Sequence, residues 1–383
     1  MIPYGKQSLD ESDYESVAKV LRGDWLTQGP TVKEFESELA RVSGARFAVA
    51  VSSGTAALHI AYLTAGIGKD HEVITTTNTF VATSNMLLAV GAKPVFCDID
   101  PVMHNIDTKQ IEKLITKRTR AIVPVHYSGL PCDMDEILKI ARKHKLIVIE
   151  DACHALGSAY KGKPIGSLKS DMAVFSFHPV KAITTGEGGA IVTNSKKYYE
   201  KLLLLRSHGI TKDKAGFNSM IELGYNYRLT DIQAALGLSQ IKKLDKFIST
   251  RRMIASRYKQ ALQNLPNIIL PGEQANRLSA WHLYPIALTG KILGKQHEVI
   301  NKLREQGIGA QWHYPAVYLH PYYRKLGYKK GLCPVAEEFC GNEISLPIFP
   351  SLTLRDQDKV IKVLTAFVKC IGGPMNRTAL NRN

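Results

Sequence analysis

Lys181 is the residue whose surroundings point most directly to chemistry. It lies between Ser176-Phe177-His178-Pro179-Val180 and the glycine-rich Gly186-Glu187-Gly188-Gly189, and upstream Asp151 ends the apolar run 146–150. A carboxylate at one strand end and a lysine after another strand are typical of enzymes that use pyridoxal 5'-phosphate (PLP). These enzymes need a lysine that forms a Schiff base and an acid that keeps the pyridine nitrogen protonated. Because most lysines are solvated surface residues, it is the pairing with Asp151 that favours this interpretation.

A candidate phosphate site follows the predicted strand that ends at Val51. Ser52 and Ser53 lead through Gly54 and Thr55 into a predicted helix. The free N–H groups and the dipole of a helix start attract anions. Gly54 allows close approach and Thr55 adds a hydroxyl, so we expect both to hold the phosphate. The alternative is an ordinary helix cap, since Ser and Thr are preferred there anyway.

Other residues have the type and spacing to contact the cofactor. Phe80 offers a ring that stacks on the pyridine, and His154 follows Asp151 closely enough to reach a ring substituent. We expect Ser176 to contact the phosphate. Each has a plainer interpretation, as a core aromatic or a polar packing residue. Cys153 lies nearby, and there we favour packing over redox chemistry.

The elements around these residues predict an α/β fold. Apolar runs alternate with helical patterns, which favours a mostly parallel sheet in an α/β/α sandwich. The predicted strands are Phe47–Val51, Val73–Thr76, Pro94–Ile99, Ala121–His126, Leu146–Glu150, Met172–Phe177 and Ala190–Thr193. The predicted helices between them include Thr55–Ala65, Thr79–Val90, Thr108–Leu114 and Met134–His144.

The last third of the chain predicts a second, smaller part. A helical pattern runs from Asp231 to about Gln263, and we expect a large domain over 1–245 and a smaller C-terminal α+β domain over 246–383. In that smaller domain, we predict strands at Trp281–Leu288 and Ala310–His313 and helices at Glu298–Gln306 and Asp356–Ile371.

Composition narrows the class of protein. Of the 383 residues, 45% are hydrophobic and 22% charged, as in globular proteins, and no apolar run reaches the length of a membrane helix. The start lacks a signal-peptide pattern and the six cysteines form no CxxC pair, so we expect a cytoplasmic protein with free thiols and no metal.

The net charge of +16 allows several kinds of partner: nucleic acid, an acidic surface or anionic small molecules. No nucleic-acid-binding motif accompanies it, and the basic residues are dispersed. We therefore expect no nucleic-acid partner and no membrane. The excess of positive charge indicates a solvated surface that helps to attract a phosphorylated substrate.

As a set, these motifs resemble a known family. The chain contains, in order, SSGTAAL, TFVAT, EDACHALG, SFHPVK, GEGGA and GYNYRLTDIQAALG. It resembles the DegT-type nucleotide-sugar aminotransferases, a branch of the fold-type I (aspartate aminotransferase-like) PLP enzymes, from about Ile2 to Phe367. The resemblance implies a seven-stranded sheet, PLP as cofactor and a homodimer with shared active sites.

The resemblance also implies residue roles. Lys181 would form the Schiff base and carry the proton, and Asp151 would pair with the pyridine nitrogen. Phe80 would stack on the ring, and Gly54, Thr55 and Ser176 would hold the phosphate. Asn226 would reach the phosphate from the neighbouring subunit. His154 stands where many members have glutamine, a departure from the family pattern.

A finer resemblance is to enzymes of pseudaminic acid biosynthesis, carried by Ile2–Gln7, Gly23–Pro30, SFHPVK and His313-Tyr314-Pro315. It implies transfer of an amino group from L-glutamate to C4 of a UDP-linked 4-keto-6-deoxy-N-acetylhexosamine. We expect UDP to lie along a groove that includes Lys6 or Arg228, with His313 and Tyr323, because basic side chains suit pyrophosphate.

Three alternatives remain. The substrate could be a different UDP-, dTDP- or GDP-linked keto sugar. The protein could be a PLP-dependent sugar dehydratase, although related 3-dehydratases replace the lysine with histidine, so Lys181 argues against this. The positive charge could instead serve nucleic-acid binding or regulation, against which the missing motifs weigh.

Overall fold

The computed structural model describes residues 1–372, which form a large sheet flanked by helices and three smaller sheets. The strands are β1 Phe47–Val51, β2 Glu72–Thr76, β3 Lys93–Cys97, β4 Thr119–Val123, β5 Ile147–Asp151, β6 Ala159–Tyr160, β7 Lys163–Pro164, β8 Met172–Ser176, β9 Gly189–Thr193, β10 Ile210–Lys212, β11 Asn218–Met220, β12 Ile268–Ile269, β13 Arg277–Leu278, β14 Tyr284–Leu288 and β15 Glu343–Leu346.

The helices surround these strands and alternate with them through the first half of the chain. They are α1 Glu11–Leu21, α2 Pro30–Ser43, α3 Gly54–Thr64, α4 Ala82–Ala89, α5 Thr108–Ile111, α6 Met134–His144, α7 Lys196–Arg206, α8 Asp231–Ile241, α9 Leu244–Leu262, α10 Gln296–Glu305, α11 Pro321–Lys325, α12 Pro334–Cys340 and α13 Leu354–Gly372. Short 3-10 helices cover Glu112–Leu114, Tyr127–Gly129, Gly290–Ile292 and Val317–Leu319.

The large sheet has seven strands in the order β1-β9-β8-β5-β4-β2-β3. Only β9 runs antiparallel to its neighbours. Alternate residues of β1 belong to different hydrophobic cores: Ala48 and Ala50 to one, Val49 and Val51 to the other. The sheet is therefore covered on both faces, as continuous apolar strands require. The predicted α/β/α sandwich is confirmed.

The register of the sheet brings several strand ends to one edge. Val51 pairs with Gly189, Gly189 pairs with Ser176, and Asp151 pairs with Val174 on β8. The carboxyl ends of β1, β5 and β8 thus lie side by side, which is where open α/β sheets place their ligands. This edge joins the two motifs that the sequence singled out.

A separate core supports the predicted C-terminal part. Apolar residues from Ile254 to Val368, together with Ile2, pack around the sheet β12-β14-β15. Phe247 and Ile248 of the same helix α9 belong to the core of the large sheet. We therefore keep two domains as a proposal, with the division inside α9. Residues 373–383 of the predicted 246–383 domain lie outside the described residues.

Three predicted elements differ from those observed. The helical stretch predicted from Asp231 to about Gln263 forms as two helices: α8 ends at Ile241 and α9 begins at Leu244. The break lets α8 pack on the N-terminal helices, where Ser16 Oγ donates to the carbonyl of Ala235 at 2.8 Å, while α9 reaches the C-terminal core.

The other two differences lie near the sheet edge. The strand predicted at Trp281 begins only at Tyr284, because Trp281 adopts a positive φ of 50° and His282 N donates to Ser128 O at 2.9 Å. The strand predicted over 310–313 is reduced to a bridge between Gln311 and Ser345 of β15, because His313 N donates to the Glu343 carboxyl at 2.8 Å rather than to a neighbouring strand.

Within residues 1–372, no helix combines the length and the apolar character needed to cross a bilayer. The same residues contain no group of three His, Cys, Asp or Glu side chains that could hold a metal ion.

Candidate active site

Asp151 ends β5 as a buried carboxylate held by two donors. The Thr83 hydroxyl lies 2.6 Å from Oδ2, and the Cys153 N–H lies 3.2 Å from Oδ1. Thr83 stands in the first turn of α4, which begins at Ala82. A carboxylate fixed by two hydrogen bonds keeps its orientation. The geometry therefore suits a side chain that must point at one atom of a ligand.

Lys181 stands in the loop between β8 and β9, and its amine meets an unexpected neighbour. Nζ of Lys181 lies 3.4 Å from Nε2 of His282. Burial lowers the pKa of the lysine amine, and the charge of Arg251 lowers it further, whereas Asp151 acts in the opposite direction. A lysine with a lowered pKa more readily gives the neutral amine that acts as a nucleophile or base.

Three buried histidines lie around this lysine: His154, His282 and His313. The rings of His154 and His282 are 4.3 Å apart, and in each of the three Nδ1 is buried without a hydrogen-bond partner. Burial, together with the charge of Lys181, lowers the pKa of His154 and His282 well below the usual range and that of His313 to about 3. All three are therefore neutral imidazoles at neutral pH.

A cradle of small residues lies beside the carboxylate. A Cβ on Gly54 would lie 2.9 Å from Ser176 Cβ and 3.4 Å from Cys153 Sγ, so only glycine fits there. Ser53 caps α3 by accepting from Ala56 N at 3.1 Å. The structure thus brings Gly54, Ser176 and Cys153 together at the helix start. Thr55 is exposed in the first turn of the same helix.

An aromatic group covers this part of the sheet edge. The side chain of Phe80 is 54% exposed, and its ring lies 5.8 Å from that of Tyr314. The Tyr314 hydroxyl lies 3.2 Å from Nε2 of His154. His154 therefore has one ring nitrogen bonded and the other free. Phe80 and His154 lie in adjoining positions around Tyr314.

Asn226 and Arg228 belong to a segment that lies beside the end of β1. Ser52 N donates to Tyr227 O at 2.8 Å, and Arg228 bridges Val51, so the segment runs beside the phosphate cradle. Asn226 is exposed. Arg228 is half-buried and lines a surface groove with Glu36 and Arg206.

Lys6 and His313 approach the loop of Lys181. Lys6 is exposed, and the preceding Gly5 packs on Val180, where a Cβ would lie 3.3 Å from that side chain. The ring of His313 lies 5.0 Å from that of Tyr4. These two residues of the predicted substrate groove therefore lie close to the candidate site.

Tyr323 is not brought to the site. Its side chain is 2% exposed, and its hydroxyl bonds to Ser84 Oγ at 2.6 Å and to Asn85 Oδ1 at 2.8 Å. Because this hydroxyl is bonded to residues of α4, we withdraw the expectation that Tyr323 contacts the substrate. The sequence around Tyr323 does not indicate whether its side chain faces the site or the core.

Sequence reasoning missed four residues at the site: Thr83, His282, Tyr314 and Arg251. Thr83 stood inside the quoted TFVAT motif, so its place was within reach. His282 stands in a region predicted as strand, and the turn that directs it to Lys181 depends on a bond to the distant Ser128. No local pattern marks such a contact.

These residues fit pyridoxal 5'-phosphate. The donor set consists of a buried amine of lowered pKa, a fixed carboxylate, free N–H groups at a helix start and a half-exposed aromatic ring. The cradle at Gly54 has no room for a Cβ, as a close phosphate contact requires. Lys181, Asp151 and the Gly54 turn would hold its aldehyde, ring nitrogen and phosphate.

The chain is similar to known aminotransferases in sequence and fold. A family model described as the DegT/DnrJ/EryC1/StrS aminotransferase family matches residues 7–365. A UDP-4-amino-4,6-dideoxy-N-acetyl-beta-L-altrosamine transaminase of Campylobacter jejuni subsp. jejuni serotype O:23/36 (strain 81-176) is 42% identical over 359 residues, covering 93% of this chain and 94% of that relative.

Two solved structures have the same fold. Helicobacter pylori PseC, an aminotransferase involved in the biosynthesis of pseudoaminic acid, has a TM-score of 0.91 and 36% identity, over 95% of this chain and 98% of that one. Spr1654 from Streptococcus pneumoniae, solved in a PLP-form, has a TM-score of 0.92 and 30% identity, over 97% of this chain and 99% of that one.

Fold and site together define the class as a fold-type I aminotransferase. Within that class, the chain belongs to the DegT/DnrJ/EryC1/StrS aminotransferase family.

Proposed function

We propose that this enzyme transfers the amino group of L-glutamate to C4 of a UDP-linked 4-keto-6-deoxy-N-acetylhexosamine. The product would be UDP-4-amino-4,6-dideoxy-N-acetyl-beta-L-altrosamine, in pseudaminic acid biosynthesis. The observation that carries the chemistry is the Lys181 amine, with its lowered pKa, at the same sheet edge as Asp151. The choice of substrate rests on the 42% identity to the Campylobacter transaminase.

The cofactor is pyridoxal 5'-phosphate. When bound, it withdraws the electrons left on a carbon that loses its proton, and so stabilises that carbon. The Asp151 carboxylate, fixed by Thr83, would keep the ring nitrogen protonated. Phe80 and His154 would contact the ring, and Gly54, Thr55 and Ser176 the phosphate.

Lys181 would carry the proton in both halves of a ping-pong reaction. Its neutral amine would remove the proton from the α-carbon of glutamate in the first half. In the second half its ammonium form would deliver a proton to C4 of the sugar. Burial lowers the pKa of this amine, which favours the neutral form that accepts a proton.

The nucleotide would contact the basic residues near the site. Lys6 follows Gly5, which packs on Val180, and Arg228 forms a backbone bridge with Val51 at the end of β1. Both cations suit a pyrophosphate. His313 is a neutral imidazole, so we assign it to hydrogen bonding with the sugar rather than to charge pairing. The UDP-sugar would thus enter past the first residues of the chain.

We propose a homodimer with shared active sites. The hairpin β10–β11 and the segment after it expose Phe217, Met220, Ile221 and Leu223, each more than 60% accessible. A contiguous exposed apolar segment is typical of an interface. Asn226 follows this segment and is exposed, and we assign it to contact with the phosphate of a neighbouring subunit.

Mixing two inactive variants tests the shared site. Lys181→Ala and Asn226→Asp chains are each expected to lose most activity. If Asn226 serves the partner's cofactor, a mixed dimer regains one complete site, and activity returns on mixing. If both residues serve the same chain, mixing restores nothing and the shared site is refuted.

We place the enzyme in the cytoplasm. All six cysteines are free thiols, all within the described residues, which suits a reducing compartment.

The reaction is tested with a panel of UDP-, dTDP- and GDP-linked 4-keto sugars and glutamate labelled with ¹⁵N. Mass spectrometry and NMR of the products identify the nucleotide, the carbon and its configuration. We expect the ¹⁵N at C4 of the UDP sugar. Labelled nitrogen in a different sugar would identify that sugar as the substrate instead of the one proposed. Loss of a sugar hydroxyl without labelled nitrogen would indicate a dehydratase.

A further inference from the structure

Arg251 is a fully buried cation at the centre of the protein. It lies on α9 and is 1% exposed, and it has the largest volume among the described residues whose side chains are almost wholly removed from solvent. Among residues 1–372, no carboxylate lies within ion-pairing distance of its guanidinium. Burying a charge without a countercharge is costly, and burial lowers the pKa of Arg251 to about 10. The burial of this charge therefore requires an explanation in the structure or function of the protein.

Its hydrogen bonds join the segments that form the active site. The guanidinium donates to four backbone carbonyls: Val180 at 3.3 Å, Trp281 at 3.2 Å, His282 at 3.3 Å and Ile348 at 2.9 Å. Val180 immediately precedes Lys181, and His282 carries the ring that meets the Lys181 amine. One side chain thus fixes the backbone on both sides of this contact.

The charge of Arg251 also acts on the groups around Lys181. It opposes a second positive charge on Lys181 and on His282. The titratable and charged groups that face Lys181 are Asp151, Cys153, His154, His282, His313 and Arg251. Of these, Cys153 and Asp151 favour the ammonium form of the lysine, and the neutral histidines bring no compensating charge.

We propose that Arg251 is the positioning residue of the catalytic lysine. Its fork of carbonyl bonds holds Lys181 against His282, and its unpaired charge adds to burial in favouring the neutral form of the lysine amine. The structure explains the missing counterion in this way: a carboxylate beside Arg251 would cancel the field that acts on Lys181. The inference rests on the proposed role of Lys181 but not on the identity of the sugar.

The test measures the reactivity of Lys181 itself. The full-length chain, freed of cofactor and checked by circular dichroism, is labelled with trace acetic anhydride, and the Lys181 peptide is quantified by mass spectrometry against an exposed lysine. Arg251→Met removes the charge and keeps much of the volume. At pH 7 we expect Lys181 in this variant to be labelled at least about threefold more slowly, because less of the amine is neutral.

Two further variants separate charge from carbonyl bonding. Arg252→Met is the matched control, since the neighbouring Arg252 also donates to carbonyls, of Ser279 and Gly157, and its charge is not among those that act on Lys181. It should leave Lys181 labelling unchanged. Arg251→Lys keeps the charge but cannot span four carbonyls, so labelling should stay near the native rate while turnover falls.

A second measurement tests the proposal even if Arg251→Met is unstable. In the cofactor-loaded protein, the pH midpoint of the cofactor absorbance should rise in Arg251→Gln and stay unchanged in Arg252→Met. Native labelling and a native midpoint in all Arg251 variants would overturn the proposal. Failure of the wild-type enzyme to aminate any sugar, with labelling as expected, would instead overturn only the proposed substrate.

Discussion

The hydroxyl of Thr83 lies 2.6 Å from Oδ2 of Asp151, although the two residues are 68 positions apart in the chain. The bond links the first turn of α4 to the end of β5 and leaves the carboxylate little freedom to rotate. A hydrogen bond to a charged group contributes more than one between neutral groups. We therefore include Thr83 in the candidate active site as a residue that orients Asp151.

We predict that Thr83→Val lowers the rate of the half-reaction with glutamate about tenfold, because the carboxylate loses a donor of about 1.5–3 kcal/mol. Single-turnover kinetics measure this rate directly. Thr83→Ser is the matched control, because it keeps the hydroxyl, and should stay close to the wild-type rate. A valine variant as fast as the serine variant would remove Thr83 from the site.

Asp151→Asn should retain cofactor but lose most of the rate. The amide has nearly the shape of the carboxylate but cannot carry the charge that stabilises a protonated ring nitrogen. We expect the half-reaction to slow on the order of a hundredfold or more, with cofactor binding still visible by absorbance. Unchanged kinetics would discard the role assigned to this carboxylate.

Gly54→Ala should weaken cofactor binding. A Cβ at this position would lie 2.9 Å from Ser176 Cβ, so the helix start and β8 must move apart and the cradle widens. We expect about a tenfold increase in the Kd for the cofactor, of the order of a single disrupted contact. Equilibrium dialysis measures the change.

Gly68→Ala provides the control for Gly54. Its new Cβ would meet only Val90 O at 3.7 Å, an ordinary contact. This variant should bind the cofactor as the native protein does. Equal loss of affinity in both variants would mean that the Gly54 cradle has no special role.

Glu343 should make stability depend on pH. It is fully buried, accepts from His313 N and Ser345 Oγ, and burial raises its pKa from 4.5 to about 8. Between these two values the folded protein holds a proton that the unfolded chain releases. The stabilisation is therefore present below about pH 4.5 and is lost as the pH rises through about 8.

Glu343→Gln removes this titration. The Tm of the variant, relative to the native protein, should rise by a few degrees between pH 5 and pH 8. The exposed Glu298→Gln variant on α10 is the control and should follow the native curve. A constant difference in Tm across this range would show that Glu343 does not titrate there.

The sequence predicted the fold well where its signal was local. The continuous apolar runs predicted as strands at Phe47–Val51 and Met172–Phe177 form β1 and β8, and Met134–His144 formed the helix that its apolar spacing indicated. Asp151 and Lys181 were singled out because each ends or follows such a strand, and the structure places both at the same edge of the sheet. The parallel register then brings strand ends together as a matter of geometry.

Contacts between distant segments were not predictable in this way. The turn at Trp281 breaks a run with strong strand character, because His282 N bonds to Ser128 O rather than to a neighbouring strand. That turn creates the contact of His282 with Lys181. No local pattern distinguishes Arg251 from the adjacent Arg252, and only the fold shows that four carbonyls surround its guanidinium. Tyr323 is the reverse case: the sequence suggested contact with the substrate, but the fold buries its side chain against α4.

The most direct test of the account is to reduce the purified, cofactor-loaded enzyme with borohydride and map the modified peptide by mass spectrometry. We predict one added cofactor mass per chain, located on Lys181, and no added mass in Lys181→Ala. A label on a different lysine, or no covalent label in a protein that still transfers nitrogen, would contradict the central claim that this amine carries the reaction.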